Sequence, residues 1–129
     1  MMIEIETLND GFRTLVSTVY VMRGTEVLTL DGPVLPRPTR TSIQIGDEGH
    51  IEDKHGAFVN HSCNPTCKVE KGADGKWCLI AARDMIPGEW ITFDYNQSET
   101  EMNTPFRCGS CDRLIAGRNA SEEPVLPRQ

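Results

Sequence analysis

The sequence has no cysteine before residue 63, and all five of its cysteines fall between there and Cys111. A disulfide-stapled secreted domain would spread an even number along the chain, so thiols in a reducing compartment or a metal site fit better. Aromatic residues are scarce at 6 %, which implies a modest core and abundant loops. No run approaches the roughly 18 apolar residues of a membrane span. The opening MMIEIETLND is acidic and lacks the charged-then-apolar pattern of a secretory leader. An intracellular protein, cytoplasmic or nuclear and away from membranes, is therefore expected. Positive charge is also short, with 13 lysines and arginines against 19 aspartates and glutamates and a net charge of −6. That argues against a nucleic-acid binder working by phosphate neutralisation, and no direct nucleic-acid binding is expected. An acidic surface would suit a lysine- or arginine-rich partner, although ordinary solubility explains the same charge. Three Asn-x-Ser triplets, at Asn60, Asn96 and Asn119, carry no weight without a secretory context. Sustained helical periodicity is missing too, as are internal repeats.

What is present reads as β structure. The 129 residues suit one domain. TLVSTVYVM (14–22) and TEVLTL (25–30) are rich in β-branched residues, and Arg23-Gly24 between them predicts a hairpin. Three prolines in DGPVLPRPTR (31–40) predict an irregular connection. SIQIG (42–46) alternates like a short strand, and DEGHIEDKHG (47–56) reads as a polar loop. CKVE (67–70) and KWCLIAA (76–82) flank Asp74-Gly75, a second hairpin signal. Ile86-Pro87-Gly88-Glu89 is a turn, WITFDY (90–95) is a strand ending in Tyr95, and residues 118–129 form a proline-punctuated tail.

Two polar strings stand out, NHSCNP at 60–65 and GEWITFDYN at 88–96. In isolation Asn60, Ser62 and Asn64 would bond their own backbone in a turn. His61 alone would be a structural histidine, and Cys63 alone a small buried hydrophobe. Their company changes the reading. GAFVNHSCNPTC, LIAARDMIPGE, WITFDYN and PFRCGSC follow one another in order with short spacers. In this the sequence resembles the SET-domain family of protein lysine methyltransferases, closely over residues 56–117 and loosely before that.

The resemblance implies a mostly β fold of short strands and small sheets, with a knot-like threading of the C-terminal part. It implies a SET domain at 1–105, a short post-SET-like cysteine segment at 106–117 and a flexible tail at 118–129. It implies methyl transfer from S-adenosylmethionine to a lysine side chain of a protein substrate. Asn60, His61 and Phe106 would contact the cofactor, and Tyr95 would sit where the lysine meets the methyl group. Phe93 either joins Tyr95 along the lysine channel or belongs to the core, as Phe58 does. The family's Gly-x-Gly loop corresponds to Gly11-Phe12-Arg13, with Arg13 in place of the second glycine. That departure, and a short insert before NHSC, leave open a catalytically silent module that binds peptide or cofactor without turnover. Family members also hold a structural zinc between the cysteine of NHSC and a C-terminal cysteine cluster. Here the candidates are Cys63, Cys108 and Cys111, with Cys67 as a conceivable fourth ligand and free thiols as the alternative. A small zinc-binding domain unrelated to methyl transfer is the third reading. The oligomeric state is open.

Overall fold

The computed structural model describes residues 2–99, 102, 106, 107, 114 and 115. Among them the chain forms twelve short strands and one helical turn. The strands are β1 (Ile3–Thr7), β2 (Arg13–Ser17), β3 (Glu26–Thr29), β4 (Val34–Leu35), β5 (Ile43–Gln44) and β6 (His50–Ile51). They continue with β7 (Asn60–His61), β8 (Cys67–Lys71), β9 (Trp77–Ala81), β10 (Thr92–Phe93), β11 (Phe106–Arg107) and β12 (Leu114–Ile115). The helical turn α1 spans Tyr95–Ser98, and 3₁₀ turns cover Gly46–Glu48 and Gly56–Phe58. The expected mostly β fold of small sheets is what the chain adopts. The knot-like threading, the cysteine segment and the tail concern C-terminal residues that mostly lie outside the described ones.

The N-terminal hairpin is not the expected one. β1 pairs antiparallel with β2, Ile3 opposite Ser17. The stretch 14–22 does not run on as a strand, because the Ser17 hydroxyl bonds both the carbonyl and the N–H of Val19 and curls the chain. Tyr20 and Met22 are left exposed, and Val21 alone turns inward to bridge Met85. β3 pairs with β9 instead, in a sheet of order β3-β9-β8. The β8–β9 hairpin forms as its sequence predicts, with Gly75 at φ 84° in the turn. The polar stretch 47–56 is also more than a loop. Its His50–Ile51 is the central strand of the sheet β4-β6-β5. A two-residue strand has too few positions to show any periodicity.

Leu15, Ile43, Leu79, Met85 and Ile91 are fully buried and come from five separate segments, so one core joins the small sheets. Burying side chains of this size contributes roughly 1.5–3 kcal/mol each.

The NHSC run is held to the second polar string in two ways. β7 pairs parallel with β10, Asn60 beside Thr92 and His61 beside Phe93. Just beyond, Thr66 and Thr92 exchange bonds. Each backbone N–H donates to the other's hydroxyl at 3.0 Å, and the Thr66 hydroxyl also contacts the Trp90 carbonyl at 2.8 Å. Both residues are buried. Thr66→Val keeps the shape but orphans the Thr92 N–H and the Trp90 carbonyl. A loss of about 2–4 kcal/mol is expected from urea denaturation, since each buried orphan costs roughly 1–3 kcal/mol. A loss below about 0.5 kcal/mol would show that the exchange is dispensable.

Candidate active site

Strand β10 is shorter than WITFDY suggested. Asp94 keeps an extended backbone but caps α1, its carboxylate accepting the Asn96 N–H at 3.0 Å. Tyr95 is thus the first residue of a helical turn and not the last of a strand. This swings the phenol away from the sheet and back toward β7. Its hydroxyl donates to the Val59 carbonyl at 2.6 Å, and its own N–H donates to His61 Nδ1 at 3.1 Å.

That second bond fixes the tautomer. His61 Nδ1 also lies 3.7 Å from the Asp94 carboxylate, a contact that would need a proton on the same nitrogen. The shorter Tyr95 contact requires a lone pair there, so in the neutral ring the proton sits on Nε2. Nε2 lies 3.3 Å from Cys63 Sγ.

Phe93 and Phe106 gather around Tyr95 and His61. Phe93 lies 4.8 Å from Tyr95 between ring centres, His61 5.2 Å and Phe106 6.0 Å, the last two edge-on. Edge-to-face packing of this kind adds about 0.5–1.5 kcal/mol per pair beyond burial. Burial pushes the Tyr95 phenol well above its ordinary range, and the Glu99 carboxylate adds to the effect. At neutral pH it is a neutral hydroxyl. With its proton committed to Val59, it has only lone pairs left to offer.

These rings form one wall of a cavity of about 1000 Å³. Its described lining comes from residues 11–13 of the β1–β2 turn, 38–43 and 56–61, and from Trp90, Phe93, Tyr95, Glu99, Met102 and Phe106. The eight residues singled out for cofactor or substrate, Gly11, Phe12, Arg13, Asn60, His61, Phe93, Tyr95 and Phe106, all line it. Asn60 turns its amide nitrogen toward β2, donating to the Thr14 hydroxyl at 3.0 Å. Phe93 is both core and lining, being buried yet open to the cavity on one edge.

The metal candidates fare differently. Cys63 is not among the lining residues, and Cys108 and Cys111 lie outside the described ones. Among the described residues no cluster of three or more histidine, cysteine or acidic side chains is arranged to hold a metal. Cys67 is fully buried in β8, where burial pushes its thiol up to about 11. It serves the core.

Several lining residues were not singled out in the sequence. Glu99 sits in the bland run QSETE but is 4 % exposed. Its carboxylate accepts the Gln44 N–H at 2.9 Å and the Ser98 hydroxyl at 3.0 Å. The only available signal was its position four residues after Tyr95, on the same face of a helical turn. Trp90 stacks on Phe12 with ring centres 5.9 Å apart at the cavity edge. The 38–43 stretch was read as the end of an irregular connection and the start of a short strand, not as part of a site.

The family model of the SET domain matches residues 7–96. The chain belongs to the SET-domain family. Among curated relatives it is 38 % identical over 73 residues to a histone-lysine N-methyltransferase, H3 lysine-36 specific, of Aspergillus oryzae, covering 52 % of this chain and 8 % of that protein. Similarity to the histone-lysine N-methyltransferase ash1 of Drosophila melanogaster is 36 % over 75 residues, 53 % of this chain and 3 % of that one. It is 35 % identical over 100 residues to the methyltransferase flvH of Aspergillus flavus, 72 % of this chain and 54 % of that one. The chain thus spans less than a tenth of these two histone enzymes and about half of the flvH protein. No helix among the described residues is long and apolar enough to cross a membrane.

Proposed function

We propose that the cavity is the active site of a protein-lysine methyltransferase that uses S-adenosylmethionine. One observation carries the reading: β7–β10 pairing brings both polar strings to one cavity wall, with a neutral, oriented phenol at its centre. When bound, S-adenosylmethionine supplies a methyl group on a positively charged sulfur. The residues present suit such a molecule. The volume lies at the upper end of the roughly 300–1000 Å³ of small-molecule sites. Aromatic faces favour cations, and Phe12, Trp90 and Phe106 offer flat surfaces to a base.

In this reading Asn60, His61, Phe106 and the Gly11–Arg13 turn hold the cofactor. Arg13 supplies a guanidinium for a carboxylate where a second glycine would have let the backbone approach. Tyr95 and Phe93 receive the lysine. Methyl transfer is an in-line displacement, so the amine lone pair has to be aimed, and near-attack positioning is worth roughly 7–11 kcal/mol in favourable cases. The Tyr95 lone pairs accept from the amine without presenting a competing nucleophile. A lysine with reference pKa about 10.4 also has to react neutral. Burial against Phe93 and Phe106 pushes it that way. Glu99 opposes this slightly while drawing the ammonium in.

The remaining parts of the proposal are a structural zinc on Cys63, Cys108 and Cys111, the division into a SET body at 1–105 and a cysteine segment at 106–117, and an intracellular, cytoplasmic or nuclear, setting. The histone-named relatives support the setting and a protein substrate. Titration calorimetry with S-adenosylmethionine tests the core of it, with elemental analysis for zinc alongside. Saturable cofactor binding and label transfer to lysine in a protein screen are expected. Absence of heat at millimolar cofactor would remove the methyltransferase reading and leave a silent binding module.

A further inference from the structure

We propose that the lysine this site accepts lies among acidic residues. The inference rests on the methyltransferase reading and adds a substrate class to it. Among the described lining residues the arginines are Arg13 and Arg40, and the one carboxylate is Glu99. Glu99 is buried, whereas both arginines are exposed, and neither has an ion pair within 4 Å among the described residues. Among the described lining residues the buried ionisable group is thus a carboxylate and the exposed ones are guanidiniums.

Arg40 is held there by its loop. Thr39 and Ser42 bond across the turn, the Thr39 N–H to the Ser42 hydroxyl at 2.8 Å and the Ser42 N–H to the Thr39 hydroxyl at 3.1 Å. Glu52 could have neutralised Arg40, but its carboxylate is taken by the hydroxyls of Thr39 and Thr41. Arg37, exposed two residues before Thr39, adds a second guanidinium to the same loop with no ion pair among the described residues. An amine drawn toward Glu99 and Tyr95 would leave its neighbours in the chain beside Arg40. Acidic neighbours would pair with it, and arginine or lysine neighbours would meet like charge.

The net charge of −6 works the other way, favouring basic partners at long range. It does not decide the contact. The Debye length at physiological salt is about 8 Å, so charges farther than that from the rim are largely screened while the contact itself is not. Rim charges set which partner fits more than they set total affinity.

The test compares two fluorescent peptides with one lysine each, flanked on both sides by glutamates or by arginines. Binding is read by anisotropy at physiological salt with cofactor present, and methyl transfer is read in parallel. The glutamate peptide is expected to bind about tenfold more tightly, and Arg40→Glu is expected to abolish or reverse that ratio. Unchanged thermal unfolding of the variant would exclude a folding defect. Equal binding, tighter binding of the arginine peptide, no binding of either, or a ratio indifferent to Arg40→Glu would each overturn the inference. The two readings fail separately. Equal turnover of both peptides removes the acidic preference and keeps the methyltransferase. Selective binding without turnover removes the methyltransferase and keeps the acidic preference.

Discussion

Tyr95→Phe is expected to lower methyl transfer by about a hundredfold or more, with cofactor affinity little changed. The variant keeps the ring, its edge contacts with His61 and Phe106, and the N–H bond to His61. It loses one oxygen. That oxygen is held by the 2.6 Å bond to the Val59 carbonyl, so its acceptor direction is fixed before substrate arrives. Losing one preorganised polar contact of this kind typically costs about 10²–10³ in rate. A stability loss of roughly 1–3 kcal/mol should accompany it, from the Val59 carbonyl left unpaired. Single-turnover label transfer separates the two effects, because a folding defect lowers the active fraction and not the rate of the remainder. A rate equal to that of the parent would remove Tyr95 from the chemistry.

The pH dependence sharpens the same point. Because the phenol is pushed above its ordinary range, it stays protonated through pH 7–9 and contributes no ionisation there. Any rise in rate across that interval reports the substrate amine, and Tyr95→Phe should show the same rise from a lower base. The folded-state pKa is raised, so the phenol's contribution to stability is complete below about pH 10, its unfolded value, and is lost above it.

The second large effect is structural. Asp53→Ala is expected to cost about 4 kcal/mol or more, a large part of the 5–15 kcal/mol that keeps a domain folded. The Asp53 carboxylate is 5 % exposed and accepts three backbone N–H groups: His55 at 2.8 Å, Gly56 at 2.7 Å and Asp31 at 2.9 Å. Bonds to a charged acceptor contribute about 1.5–3 kcal/mol each. They shape the turn at Gly56–Phe58, which leads straight into Val59 and Asn60. Asp53→Asn retains one acceptor oxygen and should recover about half of the loss. Urea midpoints for the two variants provide the check, and a loss under about 1 kcal/mol for alanine would show that the turn is held by its packing alone.

Neither Asp53 nor the loop it shapes was legible in the chain. DEGHIEDKHG looks like a solvated stretch because a carboxylate that ties amides together has the same letter as one that faces water. The β8–β9 hairpin was legible, since alternation on both strands and an Asp-Gly turn agree with each other. WITFDY was legible only in part. Its apolar letters continue the strand pattern to Phe93, but Asp94 is also a helix cap, and capping won. β1 could have been read from the alternation in IEIET and was missed beside the stronger β-branched run that follows. In the site, motif residues were found because their order and spacing are idiosyncratic. Glu99 and Arg40 belong to no such string, and only the fold brings them to the cavity.

The β7–β10 pairing has a consequence for how the molecule is made. Only two residues pair on each side, and the whole β8–β9 hairpin lies between them. Closing that long a loop for so few bonds is entropically unrewarding. The hairpin, being local, is able to form first and shorten the effective gap, after which the Thr66–Thr92 exchange draws the ends together. The cavity wall would then be among the last parts to assemble. A nascent or partly refolded chain would hold its core hairpin before it could hold a ligand.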